Sequence, residues 1–177
     1  MSYKNENMKM IELHENGLDI RFRIRENGVV ELADFSSQEV KKAVMEPKED
    51  ICYPAVEIHR SGTGSLNMHA YKNNINQSSA DFVYENHELK EQDGGKELEI
   101  VMVSPEKLKA VYHMRLFDGV PAVQTWTEII NEGSEDQGLT YVSSFMYQGI
   151  SRGGEKPYYK KTDIYVPFNS WCCEAQW

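Results

Sequence analysis

The sequence predicts an all-β protein, a large antiparallel β-sandwich with few or no helices. Three observations predict this class. Apolar and polar residues alternate with a period of two, turn-forming Asn-Gly and Asp-Gly pairs separate the alternating segments, and the segments recur about every ten residues. The chain has 177 residues without an internal repeat or a long linker. Residues 1–177 are therefore predicted to form a single domain.

The first three strands form the most strongly predicted unit. Residues 18–25 alternate strictly, so that Leu18, Ile20, Phe22 and Ile24 share one face. Asn16-Gly17 precedes this segment and Asn27-Gly28 follows it. Asn and Gly tolerate positive φ, which a type I′ hairpin turn requires. The pattern predicts an antiparallel meander of three strands, the third at residues 29–35.

Further strands are predicted along the rest of the chain. They cover residues 56–60, 97–103, 108–117, 122–130, 139–147 and 163–166. Within residues 122–130, Trp126 and Glu128 fall on one face while Val123 and Ile129 fall on the other.

The middle of the chain has a different composition. Residues 38–45 are compatible with one or two helical turns. Residues 62–79 are rich in Gly, Asn and Ser and are predicted to form a long irregular loop, a kind of segment that is often functional.

The charge excludes two classes of partner. Asp and Glu total 28 against 19 Lys and Arg, a formal net charge of −9. Such a chain repels nucleic-acid phosphates and anionic membrane surfaces. The apolar runs are too short to span a bilayer, and no secretory signal is visible, so we expect a cytoplasmic protein. Three Cys, two of them adjacent, form no disulfide framework.

Few residue patterns suggest catalysis or metal binding. Glu57 and His59 share a strand face and His69 follows, but zinc sites need three or four ligands at supportive spacing. Cys52 with His59 lacks an identifiable third group to orient the base. No glycine-rich phosphate cradle is present. We predict no metal site and no cofactor.

The C-terminal stretch carries two tryptophans, Trp171 and Trp177. Trp offers a flat apolar face and an N–H donor, which suits a sugar ring, but packing against this or another domain is the favoured interpretation. A chain that ends at a large aromatic residue suggests a fragment of a longer protein.

Four runs together resemble a known family. They are residues 54–58, residues 96–100, the Trp-x-Glu-x-x-Asn-x-Gly run within residues 125–133, and the Asn-Ser-Trp…Glu-x-Gln-Trp run that ends at Trp177. Their order and spacing, from about residue 10 to residue 177, resemble the N-terminal domain of glycoside hydrolase family 36 α-galactosidases. The last run is the most specific.

The resemblance implies a β-supersandwich of the galactose-mutarotase-like type that precedes a catalytic β/α barrel. Two Asp residues of that barrel perform retaining hydrolysis of terminal α-galactosides such as melibiose or raffinose. The Lys-Trp-Asp motif of its nucleophile strand does not occur here. No catalytic residue is therefore assigned, and this chain alone is expected to be inactive. The implied partners are its own catalytic barrel, further copies in a homo-oligomer (a tetramer in relatives) and a galactoside.

The resemblance also suggests site residues. In relatives an Asp-Phe-Arg run stands shortly before Pro-Ala, on a loop that reaches a neighbour's active site. Asp50 matches the Asp, whereas Ile51 and Cys52 replace the Phe and Arg. The candidate sugar-contacting residues are Asp50, Tyr53 and Trp171. Trp171 and Trp177 are candidates for interdomain packing.

Two alternatives remain open. One is a stand-alone carbohydrate-binding or mutarotase-like enzyme that uses His59, His69 or His113 with Glu57 as acid and base. The other is a purely structural interaction domain, which predicts no sugar binding by calorimetry.

Overall fold

The structure, a computed structural model, describes residues 9–37, 53–63, 77–147, 160, 168–170 and 173–176. These residues form eleven strands and one short helix, and the predicted all-β antiparallel sandwich is confirmed. The elements are β1 (Lys9–Glu15), β2 (Leu18–Ile24), β3 (Val30–Ser37), β4 (Ile58–Arg60), α1 (Gln77–Ala80), β5 (Val83–Gln92), β6 (Gly95–Val103), β7 (Leu108–Phe117), β8 (Val120–Asn131), β9 (Leu139–Val142), β10 (Phe168–Ser170) and β11 (Cys173–Gln176). No helix among these residues has the length and apolar character needed to cross a membrane.

Two antiparallel sheets make up most of the described structure. The first has the order β1-β2-β3 and the second the order β5-β6-β7-β8. Two smaller sheets pair β4 with β9 and β10 with β11. The predicted meander is the first sheet, and the strands predicted at residues 97–103, 108–117 and 122–130 are β6, β7 and β8.

The core lies between the two large sheets. Ile20 and Phe22 from β2 and Leu98 from β6 are fully buried. The Phe22 ring meets the Tyr112 ring of β7 edge to face, with centroids 5.6 Å apart. Each fully buried side chain of this size contributes about 1.5–3 kcal/mol. The period-two alternation therefore assigns one face of each sheet to this core and turns the other face outward.

The two predicted hairpin turns differ in type. Asn16 and Gly17 both have positive φ, 52° and 82°, as the predicted type I′ turn requires. The second turn was predicted wrongly as the same type. The Arg25 N–H bonds to the Val29 carbonyl at 2.9 Å, which closes a three-residue loop in which only Gly28 has positive φ. A three-residue loop of this kind places its glycine at the left-handed position.

Gly28 also joins the two large sheets. Its carbonyl accepts a hydrogen bond from the Tyr84 N–H at 2.8 Å. A Cβ atom at Gly28 would lie 2.9 Å from Val83 Cβ, so glycine is required by the close approach as well as by φ.

Several elements differ from the sequence prediction. β5 was not predicted, because its exposed polar residues at the edge of the sheet show no apolar alternation. β9 ends at Val142 rather than residue 147. The Ser143 N–H still donates to the Glu57 carbonyl at 2.9 Å, but the Glu57 N–H donates to the Ser143 hydroxyl at 2.8 Å instead of to its carbonyl, so the regular ladder stops there. One helical turn, α1, overlaps the C-terminal end of the predicted loop at residues 62–79. The helical turns at residues 38–45 and the strand at residues 163–166 lie outside the described residues.

Candidate functional site

The outer face of the four-stranded sheet carries the principal candidate site. The register aligns Glu99 of β6 with His113 of β7, and His113 with Trp126 of β8. Directly opposed residues on neighbouring strands share a face. Leu98 and Met114 of the same strands are buried on the core side, so strict alternation sends Glu99 and His113 outward.

A histidine–carboxylate pair forms the centre of this face. His113 Nδ1 lies 2.8 Å from Glu97 Oε1, and both side chains are 8% exposed. A second carboxylate oxygen, on Glu99, lies 3.9 Å from Nδ1. On the other side of the ring, Nε2 lies 3.9 Å from Glu128 Oε2. One buried imidazole thus faces three carboxylates from two neighbouring strands.

The ring of His113 is fixed in a second way. It stacks on the Trp126 indole with centroids 4.6 Å apart and an interplanar angle of 4°. A planar stack and a hydrogen bond at Nδ1 together leave the imidazole little freedom to rotate. We name His113, Glu97, Glu99, Trp126 and Glu128 the His113 cluster.

Two side chains of the neighbouring strand β5 contact the carboxylates of this cluster. The Gln92 amide donates to Glu97 Oε2 at 2.7 Å. The Lys90 ammonium lies 2.5 Å from Glu99 Oε2. The hydrogen bond to Glu99 raises the pKa of Lys90, an effect that burial partly opposes. Lys90 is therefore a positive charge at the rim of the cluster at neutral pH.

A second histidine–carboxylate pair lies on β4. His59 Nε2 is 2.9 Å from Glu57 Oε1, so the predicted proximity of these two side chains is confirmed. Tyr141 of β9 faces the His59 ring with centroids 5.1 Å apart. Glu57 is buried and His59 half-buried, which leaves this pair partly open to solvent.

Tyr53 is the one predicted sugar-contacting residue that the structure describes. It is half-buried, and its backbone N–H donates to Glu31 Oε1 at 3.0 Å. Glu31 also binds Arg23 and Arg25. The observed contact of Tyr53 is thus a backbone contact to a buried ion pair. Asp50, Trp171, Trp177, His69 and Cys52 lie outside the described residues.

His113 was predicted as a candidate acid or base, but its proximity to Glu97, Glu99, Trp126 and Glu128 was not predicted. Glu97 and Glu99 alternate on β6, and Trp126 and Glu128 alternate on β8. Alternation alone puts each pair on one face. Strand order and register decide which residues of neighbouring strands lie side by side, and alternation within one strand does not determine them.

Comparisons with known proteins found similarity among solved structures. No family model matches the chain, and no curated protein matches it. Among solved structures, the chain is similar to the glycoside hydrolase family 36 α-galactosidase AgaA from Geobacillus stearothermophilus. The TM-score is 0.43 and the sequence identity 13%. The similarity covers 72% of this chain and 23% of the other, so this chain spans about a quarter of that enzyme. It is a similarity of fold only.

Proposed function

We propose that this chain is a non-catalytic β-sandwich module of an α-galactosidase-like glycoside hydrolase. In the proposal the module packs against the catalytic β/α barrel of the same enzyme and supports its oligomerisation. The loop around Asp50 and Tyr53 helps to complete the pocket for a terminal α-galactoside. The single observation that carries the packing role is an exposed apolar segment at β9.

This apolar segment comprises Leu139, Tyr141 and Phe145. They are 40%, 51% and 41% exposed, and all three lie within one stretch of seven residues. Large apolar groups concentrated on one surface mark protein–protein contacts, whereas scattered ones are ordinary. Tyr is also enriched in interface cores, because its ring buries a large area and its hydroxyl keeps a partner.

The segment is also anchored to the rigid part of the fold. The Phe145 ring meets the Phe35 ring of β3 edge to face at 5.5 Å, and Phe35 packs against the core. Val142 of β9 packs against the same core. A partner that covers this segment would therefore bind a preorganised surface, which lowers the ordering cost of association.

The experiment compares the full-length gene product with the isolated chain. We expect hydrolysis of an aryl α-galactoside with retention of configuration by the full-length protein and none by residues 1–177. The triple variant L139S/Y141S/F145S is expected to lower the melting temperature of the full-length enzyme by several degrees more than that of the isolated chain. Both proteins lose the Phe145–Phe35 and Tyr141–His59 ring contacts, but only the full-length enzyme also loses the contacts with its barrel.

The matched control is V83S/L89S/V120S. These three residues are 39%, 43% and 48% exposed on the four-stranded sheet, so the same chemical change is made at equal exposure elsewhere. Equal effects of the two triple variants on the full-length enzyme would refute packing through β9. A full-length product without α-galactosidase activity would refute the enzyme assignment.

A second candidate function is supported by the His59–Glu57 pair. A histidine and a carboxylate in hydrogen-bond contact can act as base and acid in the anomerisation of a sugar. Polarimetry with freshly dissolved α-galactose tests it. If residues 1–177 accelerate the anomerisation, and the His59→Gln variant loses this activity while the His113→Gln variant keeps it, the module interpretation is replaced. A rate equal to that of buffer would exclude the second candidate.

A further inference from the structure

The carboxylates of the His113 cluster converge on one point. One oxygen of Glu97, one oxygen of Glu99 and one ring nitrogen of His113 all lie within 4.8 Å of one another. From His113 Nδ1 the two oxygens are 2.8 and 3.9 Å away. Ligand atoms around a tetrahedral zinc-class ion, at bonds of about 2.0–2.2 Å, lie about 3.4 Å apart. The two observed separations bracket this value.

An independent observation concerns the opposite nitrogen of the same ring. His113 is 6% exposed, and its buried Nε2 has no hydrogen-bond partner among the described residues. It points toward Glu128, whose Oε2 is 3.9 Å away and therefore beyond hydrogen-bond distance. A buried imidazole nitrogen normally has a partner, so Nε2 is an unsatisfied ring nitrogen that a rearrangement of this cluster could satisfy.

We propose that Glu97, Glu99 and His113 bind one divalent transition-metal ion of the zinc class. Carboxylate oxygen and imidazole nitrogen are ligands that such ions accept, and three protein ligands leave a position for water. On binding, Nδ1 coordinates the ion instead of donating to Glu97. The ring proton then resides on Nε2 and is donated to Glu128, whose side chain is 57% exposed and can approach by about 1 Å while the ring stays in place.

This assignment gives each member of the cluster a role. Metal-bound histidines usually donate their other N–H to a carboxylate, and Glu128 stands where that carboxylate is required. Gln92 orients Glu97 through its amide. Trp126 holds the ring plane by stacking. The metal is thus bound by β6 and β7 and supported by residues of β5 and β8.

Lys90 opposes the metal and therefore offers a test. Its ammonium is paired with the Glu99 carboxylate and repels the metal ion. The Lys90 side chain is 38% exposed, however, and can move into solvent when the ion binds. Removing this competitor with Lys90→Met is expected to tighten binding up to about fivefold, the range that one exposed ion pair supplies.

The proposal does not depend on the packing role of β9, and its test is binding alone. Tag-free protein, dialysed against a chelator, is titrated with Zn²⁺ by calorimetry and with Co²⁺ by visible absorption. We expect one equivalent bound. Co²⁺ should give d–d bands of a low-coordinate nitrogen and oxygen site and should quench the Trp126 indole, which stacks on the ligand ring. Trp126→Phe should remove that quenching while keeping the bands.

The variants locate the site. Glu97→Gln, Glu99→Gln and His113→Gln are each expected to weaken Zn²⁺ binding at least about tenfold. Glu99→Gln is the safest of the three for folding, because that side chain is 23% exposed. The matched control is His59→Gln, which removes a histidine paired with a single carboxylate and should leave the affinity unchanged.

Two results would overturn the proposal. The first is the absence of binding to the unaltered protein at about 100 μM metal, since these three side chains would then not form a metal site. The second is binding that Glu99→Gln leaves unchanged or that His59→Gln abolishes, since the ion would then be held elsewhere on the surface.

Discussion

Two buried charged clusters lie on the outer faces of the two large sheets, and they differ in charge balance. In the Glu31 cluster, made of Glu31, Arg23, Arg25 and Tyr53, one carboxylate meets two guanidinium groups and a backbone N–H. In the His113 cluster, three carboxylates meet one imidazole and, at the rim, the ammonium of Lys90. The first cluster has a hydrogen-bond donor for each carboxylate oxygen, whereas the second has a buried nitrogen without a partner.

The difference distinguishes buried charged groups that stabilise the fold from buried charged groups that can bind a ligand. Arg23 and Glu31 are 3% and 1% exposed, and removal of either one would break a buried ion pair, a change that is usually strongly destabilising. The His113 cluster has excess negative charge that a cation would neutralise. Burial alone therefore does not distinguish the two roles. The count of donors and acceptors distinguishes them.

The largest predicted effect is in the Glu31 cluster. Glu31→Gln removes the carboxylate charge that Arg23 and Arg25 both contact, and we expect a loss of about 3–5 kcal/mol in the free energy of unfolding, measured by urea denaturation. The double variant Arg23→Met/Glu31→Leu should recover most of this loss, because no unpaired charge between these two positions remains buried. A loss below about 1 kcal/mol for Glu31→Gln would show that the cluster is not structural.

A smaller effect is predicted for the equivalent change in the His113 cluster. Glu97→Gln retains an oxygen that can accept from His113 Nδ1 and removes one of three mutually repelling carboxylates. We expect the free energy of unfolding, measured by urea denaturation of the metal-free protein, to change by no more than about 1 kcal/mol. A loss as large as that of Glu31→Gln would make the two clusters equivalent and would break the comparison.

The smallest effect is predicted for Glu106, a carboxylate that is paired with one arginine and is exposed to solvent. Arg60 Nη1 lies 2.7 Å from its carboxylate, which is 41% exposed. Burial raises the pKa of Glu106, but hydrogen bonds from its own backbone N–H, the Ser104 hydroxyl and Arg60 outweigh it and lower the pKa overall.

A lowered folded-state pKa fixes the sign of the pH dependence. The stabilisation is present above the ordinary carboxyl pKa of about 4.3 and is lost as pH falls through the lower folded value. Solvent screening should keep it below about 1 kcal/mol. Urea denaturation at pH 6 and pH 3 should show that Glu106→Gln flattens this small dependence. An unchanged dependence in the variant would exclude Glu106 as its source.

The fold was predictable where one face of a strand is buried. Phe22 and Leu98 alternate with polar residues, and that period identifies strands and their core faces without knowledge of their neighbours. β5 carries no such signal, because an edge strand with little burial need not alternate. The one cue that could have found it is the Asp93-Gly94 pair, which marks the turn into β6.

The second Asn-Gly pair shows a limit of turn chemistry. Asn27-Gly28 has the same residues as Asn16-Gly17 but sits in a loop one residue longer. The loop length depends on which residues pair across the hairpin, and Arg25 pairs with Val29. Residue type permits positive φ, but pairing decides which residue adopts it.

By itself the sequence determined the class of the fold, the three-stranded meander and the acidic character that disfavours phosphate-rich partners. It also placed His59 beside Glu57, because residues two apart on one strand share a face. Only the tertiary structure decided that Glu97, His113 and Glu128 meet. They come from three strands, and their proximity depends on strand order and register. Those are set by long-range packing of the core, which no local pattern encodes.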